Sequence, residues 1–190
     1  MPARAVVVGA SAGGVEALLN VYSMLPGDFN LPVLTVLHVP DERDSQLAQV
    51  FAQRLRRPCK QAVDKESIVD GVFYFAGPGY HLSVERDFSL SLSQEDRVHF
   101  SRPAIDFLFS SAADAYGDSL VGVLLTGANE DGAAGLATIH RAGGVTVVQD
   151  PAQARVATMP RAALKLHRPD HILPLHGIGL LLAGLETRSC

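Results

Sequence analysis

The apolar positions of this chain come in two patterns that take turns. Short unbroken runs read as strands buried on both faces, and stretches with apolar residues at helical spacing read as the helices between them. Ala3 to Val8 is the first run, Val-rich and stopped by glycines; Val15 to Leu25 follows with helical spacing and ends before Pro26-Gly27. Pro32 to Leu37 is a second buried strand, and Ser45 is placed to cap a helix from Gln46 to about Leu55. After Asp70-Gly71, the run Val72 to Ala76 predicts a strand. From His81 to Leu92 the pattern changes to alternation around Arg86-Asp87, as a small antiparallel hairpin requires. A helix is expected from about Ala104 to Tyr116, then a central strand over Leu120 to Leu125. The remaining elements are a helix from Gly132 to Ala142, a strand from Val145 to Gln149 and a short helix from Pro160 to Leu166. A last strand from His171 to Leu175 and a C-terminal helix from Ile178 to Leu185 complete the pattern. No repeat or linker interrupts it. The chain therefore predicts an α/β fold, a doubly wound, mostly parallel sheet with helices on both faces and a small antiparallel hairpin, in one domain over residues 1–190.

In an open parallel sheet, ligands gather beyond the carboxyl ends of the strands. The polar residues that follow the three most apolar strands are Ser11, His38 and, within the loop Thr126 to Gly132, Asp131. A nucleophile, a base and an acid thus fall at one edge. Chance could place them there, since the chain holds seven histidines and many Asp and Ser. The first loop narrows the choice. Gly9-Ala10-Ser11-Ala12-Gly13 is a G-x-S-x-G elbow between a strand and a helix, the context that motif needs. Its glycines permit a tight turn that raises the hydroxyl at a helix start, where backbone N–H groups and the helix dipole favour a developing oxyanion. Two plainer readings compete. Ser11 could cap the helix, or the turn could bind a dinucleotide phosphate, although that pattern needs glycine where Ser11 stands. The elbow accounts for the residues better than either.

As a base, His38 would take the Ser11 proton and return one to the leaving group; as a bland residue it would only hold a turn. Asp131 would orient the imidazole, or else merely cap the helix that follows it. Glu130 competes with it on a longer, poorer capping side chain. His81, His99, His140, His167 and His171 lie in loops, hairpins or helix ends without a strand-end partner. His176, after the final strand, is the rival base, since an ordinary α/β-hydrolase keeps its histidine there. That fold, however, rarely puts its nucleophile after the first strand.

Composition excludes more than it proposes. Hydrophobic residues at 47% and charged residues at 19% suit a buried core and rule against disorder. The net charge of −4 is spread, with no basic stripe for nucleic acid and no basic amphipathic helix for a membrane surface. No apolar run approaches the ~18 residues of a membrane span. Cys59 and Cys190 have neither CxxC nor metal spacing, which favours a reducing compartment, and a cytoplasmic location is expected. Neither a metal nor an organic cofactor is expected.

Six ordered blocks carry a resemblance. They are GASAGGVEAL from Gly9, LHVP from Leu37, GPGYHL from Gly77, SRPAIDFLF from Ser101, LTGANEDGAAGL from Leu125 and VVQDPAQARVATMPRAAL from Val147. Through them the chain resembles, almost end to end, the catalytic domain of CheB-type protein-glutamate methylesterases, which demethylate glutamate methyl esters on bacterial chemoreceptors. The resemblance implies a cytoplasmic serine hydrolase of chemotaxis-like signalling that works on receptor helices or a related signalling protein. Deamidation of receptor glutamine would follow the same route. By position it places the nucleophile on Ser11, the base on His38 and the acid on Asp131, with the backbone amides of Ala12 and Ala128 as oxyanion donors. Met159 and Pro160 match a segment bordering the family's site, and Arg102 a residue flanking the substrate cleft. Leu37, Ala12 and Ala128-Asn129 stand where chemotaxis enzymes commonly have Gln, Thr and Met-Gly; loss of the Met and Thr side chains would reshape the pocket, with Asn129 in the substrate cleft. Members often carry an N-terminal phospho-receiver domain; here the first strand starts almost at Met1, so a stand-alone or excised domain, answering to a separate regulatory protein, is expected. The alternatives are a non-catalytic regulatory module and a hydrolase of a different ester.

Overall fold

The computed structural model describes residues 2–38 and 46–185. The chain begins with β1 (Ala5–Ala10), α1 (Gly14–Tyr22), β2 (Val33–Leu37), α2 (Leu47–Leu55), β3 (Cys59–Gln61) and β4 (Phe73–Phe75). The hairpin strands β5 (His81–Val84) and β6 (Leu90–Ser93) precede α3 (Ile105–Tyr116) and β7 (Leu120–Leu124). Then come α4 (Ala133–Arg141), β8 (Val145–Gln149), α5 (Thr158–Leu166), β9 (His171–Leu173) and α6 (Leu175–Ala183). Among the described residues no helix is long and apolar enough to cross a membrane.

Seven strands form one parallel sheet in the order β3-β4-β2-β1-β7-β8-β9, and β5 and β6 pair antiparallel beside it. All six residues of β1 are buried, as an unbroken apolar run demands of a strand covered on both faces. Each fully buried Val there contributes roughly 1.5–3 kcal/mol over exposure. On one face Val6 and Val8 pack with Leu18, Phe51, Ile178 and Leu182 from α1, α2 and α6. On the other, Val7 and Leu34 pack with residues of the hairpin and of α3, α4 and α5. β1 lies between β2 and β7, so the chain after β1 passes to α1 on one face and the chain after β7 to α4 on the other. The crevice that opens between two such diverging loops is where doubly wound folds bind their ligands.

The architecture is the expected one, with local differences. β1 runs to Ala10 rather than Val8, because Gly9 leaves room for the Ile105 side chain and keeps its register with Val36 and Leu124. β3 carries no apolar run; it is a short, polar edge strand held by its pairing to β4. α1 stops at Tyr22, three residues before the expected Leu25. α6 starts directly after Pro174 rather than at Ile178, since proline's fixed φ suits the residue before a helix. The expected cap at Ser45, the Val39-Pro40 half of the LHVP block and Cys190 lie outside the described residues.

Candidate functional site

Ala10 pairs with Leu37 at the ends of β1 and β2, so Ser11 and His38 leave the sheet side by side. The His38 N–H donates to Ala10 O at 3.0 Å, and the Ser11 N–H to Thr126 O at 2.9 Å. These bonds tie the loops after β1, β2 and β7 into one cluster. The turn after Ser11 needs Gly13, whose φ of 79° is left-handed. Gly13 also occupies the N-cap of α1, and no side chain caps that helix. Ser11 is therefore not a capping residue, and among the described residues its hydroxyl makes no hydrogen bond.

Asp131 is fully buried. Its Oδ2 accepts from His38 Nε2 at 2.8 Å and from the Ile105 N–H at 2.6 Å, while Oδ1 accepts from the Asp106 N–H at 3.0 Å. Asp131 thus caps a helix, but that helix is α3, not the α4 that follows it in sequence. α4 takes Gly132 as its N-cap, at a left-handed φ of 88°. The His38 side chain is 12% exposed, enclosed by the loops yet open on one side. With Nε2 on Asp131, Nδ1 is the ring nitrogen left for a second partner. Burial pushes the neighbouring Asp106 carboxyl above its ordinary pKa; the Gly135 N–H opposes this, and the Asp131 charge adds to it.

The loop after β7 is held by a side-chain frame. The Thr126 N–H donates to Gln149 Oε1 at 2.8 Å, Thr126 Oγ1 donates to Ala12 O at 2.8 Å, and the Val156 N–H donates back to Thr126 Oγ1 at 2.9 Å. The Gly127 N–H donates to Val156 O at 3.1 Å. Between these bonded amides, the N–H groups of Ala12 and Ala128 form no hydrogen bond among the described residues. Both residues are exposed, and unbonded backbone N–H groups of this kind can receive an oxyanion. A cavity of about 540 Å³ opens beside Ser11, with Ala12, Gly13, Leu19, His38 and Arg155 also in its lining.

The outer residues divide. Met159 is buried against Gly127, and its N–H donates to Gly127 O at 3.0 Å; Pro160 is buried beside it in α5. Met159 thus supports the loop from behind. Asn129 Oδ1 accepts from the Asp131 N–H at 3.2 Å, and its Nδ2 reaches His99 O at 3.5 Å. Arg102 does not line the cavity: its guanidinium donates to Gln94 O and Glu95 O, each at 3.1 Å, and anchors that loop. His176 and Glu130 are exposed, without a polar side-chain partner among the described residues. His81 is buried between the Ala104 N–H and Asp96 O and stacks on Phe107, a packing role. Among the described residues no group of His, Cys, Asp and Glu is placed to hold a metal ion.

Sequence reasoning passed over Gln149 and Arg155. Gln149 ends β8 at the same sheet edge, so the strand-end rule had a signal for it. Arg155 had none, because its place depends on how the 150–157 loop folds back over Gly13.

Residues 6–182 match the family described as CheB methylesterase. The chain belongs to this family. Membership makes it a hydrolase of the methylesterase class. It is 42% identical over 186 residues to a Leptospira interrogans (serovar copenhageni) protein named putative protein-glutamate methylesterase/protein-glutamine glutaminase, covering 98% of this chain and 96% of that one. A Symbiobacterium thermophilum protein-glutamate methylesterase/protein-glutamine glutaminase is 35% identical over 94% of this chain but 49% of its own length. The chain thus spans nearly all of one CheB relative and about half of the other. The crystal structure of the Thermotoga maritima CheB methylesterase catalytic domain superposes with a TM-score of 0.91 at 29% identity, over 97% of this chain and 100% of that one.

Proposed function

We propose that this chain is a single catalytic domain that hydrolyses γ-glutamyl methyl esters on the cytoplasmic helices of a chemoreceptor or a related signalling protein. Ser11 Oγ attacks the ester carbonyl carbon as His38 Nδ1 takes its proton. The negative oxygen of the tetrahedral intermediate rests on the Ala12 and Ala128 N–H groups. The bond to the methoxy oxygen then breaks, His38 protonates that oxygen, and methanol leaves an acyl-Ser11. Water, deprotonated by His38, attacks the acyl carbon; the bond to Ser11 Oγ breaks, His38 returns the proton to that oxygen, and the glutamate product leaves as its carboxylate. Asp131 holds the imidazole and offsets its charge at each step. The observation that carries this reading is the His38–Asp131 hydrogen bond beside a serine with an unbonded hydroxyl. A glutamine amide would follow the same route with ammonia as the leaving group, in line with the second activity in the relatives' names.

The test is methanol release from a methylated receptor cytoplasmic fragment, with Ser11→Ala as the comparison. Release that disappears in Ser11→Ala supports the mechanism. Equal release from both proteins overturns the role of Ser11, and release from neither favours another ester or a binding role.

A further inference from the structure

Beside Ser11 the cavity wall carries a cation that the reaction does not use. Among the described residues lining it, Arg155 is the one Lys or Arg. Its aliphatic stem lies over Gly13, so closely that a side chain at Gly13 would meet Arg155 Cδ at 2.9 Å and Cβ at 3.0 Å. The glycine that shapes the elbow therefore also seats the arginine. The backbone beside it is fixed, since Val156 is bonded through both its N–H and its C=O to Thr126 and Gly127. Arg155 is exposed, and among the described residues its guanidinium makes no hydrogen bond and no ion pair, Glu16 of the same cavity included. A stem seated on Gly13 with an unspent planar fork at a cavity wall is suited to a carboxylate, which a guanidinium binds through two parallel hydrogen bonds. In a chain of net charge −4, such a local cation also offsets the repulsion an acidic partner meets on approach.

Resting on the methylesterase reading, we propose that Arg155 is a specificity-determining residue that binds a carboxylate of the substrate chain one helical turn from the scissile ester. Residues three or four apart on a helix share a face, with Cβ atoms about 5–6 Å apart. A glutamyl ester over Ser11 thus brings a neighbouring Glu or Asp to the cavity rim. The enzyme then reads an acidic helix rather than the ester alone.

The test uses two helical peptides with one glutamyl methyl ester each, flanked one turn away by glutamate in the first and glutamine in the second. Their affinities are measured on the Ser11→Ala protein, with and without Arg155→Gln or Arg155→Lys, so that no turnover is needed. The acidic peptide is expected to bind about threefold to fivefold more tightly. That preference should collapse toward unity in Arg155→Gln, return in part in Arg155→Lys, and shrink with added salt. Because the preference is a ratio within each protein, a general loss of binding cancels. No preference in the Arg155 protein, or one that Arg155→Gln leaves intact, overturns the proposal. Methanol release by the protein with Ser11 intact tests the methylesterase reading separately.

Discussion

The Asp131 carboxylate serves His38 and the first turn of α3 at once, through hydrogen bonds of 2.8, 2.6 and 3.0 Å. An amide in its place has one acceptor oxygen and an NH2 that must face a donor. Asp131→Asn should therefore lower kcat by about 10⁴, as in a serine protease triad. It should also cost about 1–3 kcal/mol of stability, because a buried helix N–H loses its acceptor. Methanol release and urea unfolding on the same variant check both; lost activity at unchanged stability would show that the cap contributes nothing. At this scale the sequence shows Ser11 through its elbow and His38 through its strand end. For Asp131 it offers the following helix as the plain alternative, whereas the carboxylate caps a helix that begins earlier in the chain. No local pattern reports a contact between residues 105 and 131, nor which imidazole nitrogen faces Asp131.

Among the elements, the connection of β8 to β9 shows how a side chain can fasten one strand to the chain that enters its neighbour. The Thr146 hydroxyl and N–H donate to Asp170 Oδ2 at 2.7 and 2.8 Å, and His140 Nδ1 stands 4.0 Å away. Burial works to raise the Asp170 pKa, but the Thr146 bonds and His140 outweigh it and hold the carboxyl below its ordinary value. A depressed folded-state pKa stabilises the fold above the unfolded value of about 3.9, and that stability is lost as pH falls through the folded value. With the side chain 42% exposed, solvent screens the effect. Asp170→Asn should cost about 0.5–1 kcal/mol at neutral pH, with the difference gone in strong acid. Urea unfolding of both proteins at the two pH values decides it, and a pH-independent difference would rule out the charge. Strands such as β1, β2 and β7 were legible because full burial leaves an unbroken apolar run. β3 was not, because an edge strand owes its place to the neighbour it pairs with.

For the molecule as a whole, two helical layers on one sheet bring residues 11, 38 and 131 to a single crevice. α6 closes one layer: Ile178 and Leu182 are fully buried against the face that also carries α1. Leu182→Ala should lower stability by about 2–5 kcal/mol, the usual cost of such a cavity. Methanol release per folded molecule should hold, since Leu182 lines neither the cleft nor the loops of the site. Thermal unfolding and activity below the transition measure the two effects; an equal loss in both would mean that α6 supports the site directly.

The sequence by itself determined the α/β class, the burial of the central strands, the strand-end positions of Ser11 and His38, and the family. Each of these is written in local periodicity or in a contiguous block. Tertiary structure alone decided that Asp131 joins His38 to α3. It also decided that Thr126 and Gln149 frame the loop after β7, and that Arg155 lies over Gly13 beside the serine. These contacts join residues far apart in the chain, and they exist only once the sheet has set its loops side by side.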